Sequence, residues 1–124
     1  GCACGAIRYE CSADPWMSLN CHCRDRQRAT GGAYYTVVGV PTPMVQFTQR
    51  SPQYYETPGE RAISVSRGFC PTCCSPLVAL PSEYPALMSL HASRLDDPSW
   101  VRPAADIWTA SAQPRDSMNR YSKV

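Results

Sequence analysis

The spacing of the cysteines constrains this chain more than any other feature of its sequence. Six of the eight cysteines form three close pairs: Cys2 with Cys4, Cys21 with Cys23, and Cys70 with Cys73. In an extended segment, residues two apart point to the same side, so each C-x-C pair presents two sulfurs to one point. The C-x-x-C pair encloses Pro71, which favours a knuckle turn with the same result. Each pair can therefore bind one metal ion through both of its sulfur atoms.

Both metal sites and disulfides use cysteines in this way, and the spacing favours the metal. A disulfide within a C-x-C pair closes a small strained ring, whereas a structural zinc ion takes four ligands that two distant pairs can supply. A disulfide between pairs, such as Cys2 to Cys70, stays open on spacing alone. The first residues, Gly1 to Cys4, lack the pattern of a secretory signal, which favours reduced cysteines. We expect zinc, although spacing does not decide which pairs share an ion.

Prolines and glycines interrupt the rest of the chain at short intervals, which suits short strands better than long helices. Between these breaks, polar and apolar residues alternate, or β-branched and aromatic residues accumulate. The strand candidates are 7–10, 33–40, 44–48, 63–66, 77–80, 87–91 and 107–110. Residues 25–30 are predicted to form one helical turn. The sequence thus predicts a mostly β domain of short, antiparallel strands.

Length and charge exclude several classes of protein. The chain has 124 residues, 44% of them apolar, and a formal charge of +2, which fits one globular domain. No apolar run approaches the ~18 residues of a membrane span, and the balanced charge gives no strong field for nucleic acid. We expect a cytoplasmic protein with one domain at 1–116 and a tail at 117–124. The densest basic cluster, Arg24, Arg26 and Arg28, lies beside a cysteine pair.

Three segments of the chain resemble one known family. Residues 1–9, 20–31 and 67–77 each contain one cysteine pair, and they resemble the motifs of the glutathione-dependent formaldehyde-activating enzyme family, also found as the centromere-protein-V-type domain. The resemblance continues through Leu95-Asp96-Asp97-Pro98 and Ile107-Trp108, so it covers nearly the whole chain. It implies an Mss4-like β-tent of short antiparallel strands with zinc knuckles. It also implies a carbon–sulfur lyase activity similar to the joining of formaldehyde to glutathione.

The resemblance further implies two zinc sites with different ligand sets. The family's structural four-cysteine site corresponds here to Cys2, Cys4, Cys70 and Cys73. The family's active zinc is bound by three thiolates and has an open position. Cys21 and Cys23 match two of those ligands, and Arg26 stands at the third position. Because a guanidinium has no acceptor atom, a second, catalytic zinc at Cys21 and Cys23 is left open.

Three further positions depart from the family pattern. Cys74 directly follows the second knuckle cysteine, where the family usually has glycine, and its thiol is either an extra ligand or a packed residue. Asp106 and Arg115 stand where the family tends to have His and Trp. These departures put the identity of the substrate in doubt. We expect the eighth cysteine, Cys11, to be an inert packed residue.

Two histidines and one arginine near the motifs have competing interpretations. His22 lies between two cysteines on the opposite side of an extended segment, so we expect it to point away from the metal; the alternative is a role as an acid–base group or a metal ligand. His91 is expected to be a partly buried strand residue. Arg67, just before the knuckle, either binds a substrate carboxylate or caps backbone carbonyls.

Two hypotheses of function follow. The first is a zinc-dependent enzyme similar to carbon–sulfur lyases that act on thiol–carbonyl adducts, with Cys21, Cys23 and Arg26 as catalytic residues. Its substrate would be a different small anionic or electrophilic molecule, and its partner a thiol such as glutathione. The alternative is a non-catalytic, zinc-stabilised binding domain with a silenced second metal site. Nucleic-acid binding would need a basic extension that this sequence lacks, and a homodimer is left open.

The effect of Arg26 on the cysteine pair beside it depends on whether Cys21 and Cys23 bind a metal ion. If Cys21 and Cys23 hold zinc, the guanidinium makes the pocket cationic and suited to an anion. If they hold none, the guanidinium lowers the pKa of their thiols and leaves a reactive pair. In both cases the cleft between this pair and Arg26 is the predicted functional site.

Overall fold

The structure is a computed structural model that describes residues 1–58 and 63–116. The predicted tail at 117–124 lies outside the described residues. In chain order, the elements are β1 (Tyr9–Cys11), β2 (Met17–Cys21), α1 (Arg24–Thr30), β3 (Tyr35–Pro41), β4 (Val45–Phe47), β5 (Gln53–Pro58), β6 (Ser64–Phe69), β7 (Pro76–Pro81), β8 (Leu87–His91) and β9 (Asp106–Ile107). Short 3-10 turns occupy Thr42–Met44, Ala92–Arg94 and Thr109–Ser111. The predicted mostly β class is confirmed.

Two sheets make up this fold. The larger sheet has seven strands in the order β5-β6-β7-β8-β3-β2-β9, and the smaller sheet pairs β1 with β4. The strand pairs are antiparallel except for β2 with β9, which run parallel. Residues of β1 and β4, such as Tyr9 and Phe47, pack against the buried core residues of the larger sheet. The smaller sheet therefore covers one face of the larger one.

The apolar core lies on that covered face, and the strand sequences explain why. Val38 and Val40 alternate along β3, and Met88 and Leu90 alternate along β8. All four are buried in one hydrophobic cluster, because residues two apart in a strand share a face. Burial of each such side chain contributes about 1.5–3 kcal/mol to stability.

The opposite face of the seven-stranded sheet, which we call the polar face, carries the residues of the candidate site beside a smaller apolar cluster of Cys21, Tyr35 and Val37. The strand register aligns Tyr55, Arg67, Ala79 and Ser89 across four neighbouring strands. Residues directly opposite one another in paired strands project to the same face. Farther along, β3 and β2 pair Tyr35 with Cys21 on this side. The helix α1 packs against β3 here.

Glycine is required at one point next to this face. A β-carbon on Gly68 would lie 2.7 Å from Cγ2 of Val78 and 2.9 Å from a ring carbon of Tyr54. Neither neighbour leaves room for a side chain, and the strand register shifts between Gly68 and Phe69. This bulge in β6 separates Arg67 from the knuckle that begins at Cys70.

The strand predictions failed at three places. Neither β2 nor β5 was predicted, because neither has a clear alternation; β5 is an edge strand whose residues are nearly all exposed. The strand predicted at 107–110 was wrong beyond Ile107, since Trp108 adopts a left-handed conformation (φ 59°) that starts a 3-10 turn. The predicted helical turn at 25–30 is confirmed as part of α1, which ends at Gly31 with φ 75°.

Candidate functional site

Four cysteines, two before β1 and two in the knuckle between β6 and β7, meet in one cluster, which we call the first cluster: Cys2, Cys4, Cys70 and Cys73. Their sulfur atoms all lie within 4.8 Å of one another. Two of the separations are 3.5 Å, between Cys2 and Cys4, and 3.8 Å, between Cys4 and Cys70. A tetrahedral zinc ion with Zn–S bonds of about 2.3 Å holds its sulfurs roughly 3.8 Å apart. The four thiols therefore fit a structural zinc ion.

Backbone hydrogen bonds hold the two halves of the first cluster in place. The backbone N–H of Ile7 donates to Sγ of Cys2 at 3.2 Å, and the N–H of Ala3 donates to Oγ of Ser75 at 3.1 Å. Ser75 also hydrogen-bonds Sγ of Cys73 at 3.1 Å. Such outer contacts orient the sulfurs toward a shared point. A metal ion bound here would tie the N-terminus to the knuckle after β6.

The thiols of the first cluster differ in pKa. The hydrogen bonds from Ser75 lower the pKa of Cys73 to about 5. At Cys4 the hydrogen bond from the N–H of Ala6 also lowers the pKa, but the hydrogen bonds with Cys2 and Cys73 outweigh it and raise the pKa of Cys4 to about 11. Metal binding therefore has to displace protons from this cluster, as is general for thiolate sites.

Cys21 and Cys23, which we call the second pair, lie on the polar face at the junction of β2 and α1. Cys23 caps α1, since its Sγ accepts the backbone N–H of Arg26 at 3.4 Å. Cys21 is buried beside Tyr35. All eight cysteines are free, so neither the first cluster nor the second pair contains a disulfide.

One thiol of the second pair is held in its charged form. A hydrogen bond from Cys21 is the main cause that lowers the pKa of Cys23, to about 6, and the N–H and guanidinium of Arg26 add to it. The same hydrogen bond raises the pKa of Cys21. Near neutral pH the second pair therefore consists of one thiolate and one thiol.

The described residues offer the second pair no further metal ligand. Within 1–58 and 63–116, the first cluster is the group of three or more Cys, His, Asp or Glu side chains that could hold an ion. Arg26 stands where a third thiolate would be needed, and its guanidinium lies 4.6 Å from the centre of the Tyr35 ring. The second pair by itself therefore does not fit a three-thiolate zinc site.

His22 turns away from both thiols of the second pair, as its alternation predicts. Its ring is fully buried, with Nε2 lying 2.8 Å from Oδ1 of Asp106 and Nδ1 lying 2.7 Å from Oδ2 of Asp116. Its carbonyl accepts a hydrogen bond from Nε2 of Gln27 at 2.7 Å. Asp106, which departs from the family pattern, therefore helps fix the loop that carries the second pair.

A cleft opens beside α1 on the polar face, and we call it the arginine cleft. It has a volume of about 220 Å³. Its polar or reactive lining residues are Arg26, Thr30, Tyr55, Arg67, Cys74 and His91. A wider cavity of about 770 Å³ shares Thr30, Cys74 and His91 with it and reaches Tyr35. The cleft thus extends from the second pair's helix to the strand before the knuckle.

The arginine cleft is strongly cationic. Desolvation is the main cause that lowers the pKa of Arg67, and the charge of Arg26 adds to it. Burial likewise lowers the pKa of His91 to about 3, with further contributions from Arg26, Arg94 and Arg67. His91 is therefore neutral at pH 7, and the two cleft arginines carry the charge.

The remaining candidate residues fall outside both clusters. Cys74 is exposed and lines the arginine cleft, and its φ of 59° is the left-handed conformation that the family's glycine would adopt freely. Cys11 is partly buried against the core and donates to the carbonyl of Ala13, in agreement with the expected packing role. Arg115 is exposed. His91 lines the arginine cleft because the strand register places it there, which no local sequence signal indicates.

None of the helices in the described part of the chain has the length and apolar character that a membrane crossing needs. The fold is similar to the crystal structure of a Rhodobacter sphaeroides protein, with a TM-score of 0.58 and 20% sequence identity. That likeness covers 82% of this chain and 88% of the other. No curated protein has a significant sequence match to the chain.

A family model described as "Glutathione-dependent formaldehyde-activating enzyme" matches residues 1–111. The match includes both cysteine clusters and the arginine cleft, and it agrees with the resemblance of the three cysteine motifs. The chain belongs to the glutathione-dependent formaldehyde-activating enzyme family.

Proposed function

We propose that this protein is an enzyme of the carbon–sulfur lyase type that forms and splits adducts between a small thiol and a carbonyl compound. Its catalytic residues are Cys21, Cys23 and Arg26. Its substrate is a small anionic carbonyl compound, and a thiol such as glutathione is the second reactant. A zinc ion at the first cluster makes the enzyme zinc-dependent by holding the fold together.

One juxtaposition carries this proposal. The Cys23 sulfur accepts the N–H of Arg26, while the guanidinium of the same residue reaches the arginine cleft over the Tyr35 ring. A proton-accepting thiolate and a cation therefore belong to one short segment at the start of α1. Enzymes that add thiols to carbonyls need these two functions, since the sulfur must lose a proton and the oxygen gains negative charge.

The reaction requires only one proton to move between the reactants. Cys23, as the thiolate, accepts the proton of the substrate thiol while the substrate sulfur adds to the carbonyl carbon. The C–S bond forms, the π electrons of the carbonyl move to oxygen, and Cys23 returns the proton to that oxygen. The reverse sequence splits the adduct, and Cys23 ends each cycle as it began.

Cys21 and Arg26 assist Cys23 in different ways. The Cys21 thiol donates the hydrogen bond that keeps Cys23 charged near neutral pH. A pKa of about 6 suits a group that must both accept and return a proton near pH 7. The Arg26 guanidinium attracts the anionic substrate and the oxygen that becomes negative.

The first cluster supplies stability, and its zinc ion takes no part in these steps. Zinc bound by Cys2, Cys4, Cys70 and Cys73 would be four-coordinate, which leaves no open position for a substrate. When bound, it would supply a fixed cross-link between the chain's N-terminus and the knuckle. The first cluster thus stabilises the fold, and the second pair carries out the reaction.

The proposal can be tested by following adduct formation between glutathione and either glyoxylate or formaldehyde. Exchange NMR measures how fast each aldehyde interconverts with its glutathione adduct, with zinc-replete protein present. We expect acceleration that is greater for the anionic glyoxylate. Cys23→Ser should reduce the acceleration by about 10²–10⁴-fold, the usual contribution of a general acid–base. Cys11→Ser is the matched control, since Cys11 lies outside both clusters.

Two outcomes would contradict the proposal. If the wild-type protein accelerates neither reaction while it is folded and zinc-loaded, the non-catalytic binding domain is the better description. If Cys23→Ser and Cys11→Ser lose equal activity, the second pair is not the catalytic site.

A further inference from the structure

Arg67 is the most unusual charged residue in the described chain. It lies within β6, and the whole residue is only 7% exposed. Its Nη1 atom is buried without a hydrogen-bond partner among the described residues. A guanidinium carries five N–H donors and stays charged in proteins, and a buried charge without a partner is costly. The fold therefore maintains a donor that its own described residues do not use.

The surroundings of Arg67 contain a second guanidinium and no carboxylate in ion-pair contact, since Asp25 and Cys23 act on Arg67 only through their charge at longer range. Arg26 lines the same cleft, and the charge of each arginine opposes the other. The ion pairs of the described residues involve Arg8 and His22, and neither Arg26 nor Arg67 takes part in one. Two guanidiniums without carboxylates, at the edge of a cavity, form a binding site for an anion.

The cleft also limits the size and character of that anion. The part that Arg26 and Arg67 line has a volume of about 220 Å³, which is smaller than the roughly 300–1,000 Å³ of most ligand pockets, and the adjoining cavity of about 770 Å³ is not lined by either arginine. Apolar walls from Phe69, Val78 and Ala79 lie around the charged groups. Such a cleft suits a molecule of a few carbon atoms that ends in a charged group.

We propose that Arg67 and Arg26 bind the carboxylate of a small oxo acid, with Arg67 as the residue that selects for the charge. The carboxylate would take up the unused N–H donors of Arg67 in fork geometry. Cys21 and Cys23 are not among the residues that line the cleft, but Arg26 belongs both to the cleft and to the helix start that Cys23 caps, so it connects the bound carboxylate to the second pair. This inference rests on the proposed function and names its substrate class.

The test uses oxamate, an unreactive carboxylate of nearly the same size as glyoxylate. Calorimetry measures oxamate affinity, and thermal unfolding of the zinc-replete protein measures stability. We expect Arg67→Met to weaken oxamate binding at least tenfold, since a charge-assisted hydrogen bond is lost. Methionine keeps the length of the aliphatic stem. Without ligand, this variant should melt no lower than the wild-type protein, because it removes a buried charge without a partner.

Matched variants separate this role from a general effect of charge or of folding. Arg28→Gln removes a cation from an exposed position on the same helix, outside the cleft, and should leave oxamate affinity unchanged. Arg67→Lys keeps the charge and loses the fork, so it should bind oxamate several-fold more weakly than the wild type. This variant also keeps the test valid if Arg67→Met does not fold.

Several results would overturn the inference. It fails if the wild-type protein does not bind oxamate, if Arg67→Met and Arg67→Lys bind it as tightly as the wild type, or if inorganic phosphate binds more tightly than oxamate. Cys23→Ser separates this inference from the proposed function, because it should bind oxamate normally and lack activity. Activity on glyoxylate without oxamate binding would contradict the Arg67 site alone.

Discussion

Cys2 and Cys4 face Cys70 and Cys73 across the end of the fold, whereas Cys21 and Cys23 face an arginine and a tyrosine. Both regions contain a C-x-C segment, but the segment from Cys2 to Cys4 lies in a turn closed by the N–H of Gly5 on the carbonyl of Cys2, whereas Cys21 ends strand β2. In the first cluster, a second chelating pair completes four ligands. At the second pair, Arg26 stands at the position of the third ligand, and its side chain lines the arginine cleft.

The difference shows that a chelating pair acquires its chemistry from what the fold places opposite it. Cys2 and Cys70 belong to the apolar core, where a bound ion would support the packing around it. Cys21 and Cys23 lie on the polar face, where a hydrogen bond and a nearby cation stabilise a thiolate. We therefore expect the two clusters to respond differently to the same substitution.

The largest expected effect is on stability. Cys73→Ser removes one of four ligands and should lower the free energy of unfolding by more than about 3 kcal/mol, since structural zinc contributes about 10–16 kcal/mol of binding free energy in zinc-finger peptides. Cys23→Ser should change it by less than about 1 kcal/mol, because serine is a good helix cap. Denaturant unfolding with zinc present measures both. Equal destabilisation would mean that the two clusters do not differ in structural role.

A second substitution should convert the second pair into a metal site. Arg26→Cys supplies the third thiolate, so the zinc content of metal-replete protein should rise from one to two ions per chain. The same variant should lose oxamate affinity, since it removes one of the two cleft cations. Atomic absorption after removal of free metal measures the zinc. Arg28→Cys, on the exposed side of α1, is the control and should stay at one.

A third prediction concerns how reactivity depends on pH. A thiol becomes reactive when it loses its proton, so alkylation of Cys23 by iodoacetamide should rise as pH increases through about 6. Cys21→Ala removes the main cause of the lowered pKa and should move the midpoint toward the ordinary value near 9. Arg26→Gln should move it upward by less. Peptide mass spectrometry measures the alkylation, and a wild-type midpoint above pH 8 would contradict the assignment.

The smallest expected effect is at the knuckle of the first cluster. Cys74 adopts a left-handed conformation that costs a non-glycine residue about 1–2 kcal/mol. Cys74→Gly should therefore raise the free energy of unfolding by about 0.5–1 kcal/mol, after the greater entropy of glycine in the unfolded chain is subtracted. Thermal unfolding measures this. A decrease would mean that the Cys74 side chain contributes to packing in the cleft.

Local sequence features predicted some parts of this protein well. The C-x-C spacing of Cys2 and Cys4 and the C-x-x-C spacing of Cys70 and Cys73 predicted pairs that meet in the first cluster, and the β-branched and aromatic residues of 33–40 predicted the strand β3. These features act over a few residues, so the sequence displays them directly. The assignment of ligands to the first cluster came from family resemblance, because no local rule says which distant pairs meet.

Features that depend on register or on exposure could not be predicted. The burial of Arg67 follows from its place between Tyr55 and Ala79 in a sheet whose order the sequence does not show. The two aspartates around His22 lie 84 and 94 residues away along the chain. The edge strand β5 is exposed and has no alternation. These features result from the pairing of strands that are distant in sequence, which a local sequence pattern does not reveal.

We propose that the first cluster holds zinc and that the second pair is left as reactive thiols. Native mass spectrometry of zinc-replete protein after brief iodoacetamide treatment tests both halves at once. We predict one zinc ion per chain, alkylation at Cys23, and protection of Cys2, Cys4, Cys70 and Cys73. Two zinc ions with Cys21 and Cys23 protected, or one zinc ion with the first cluster alkylated, would contradict this account.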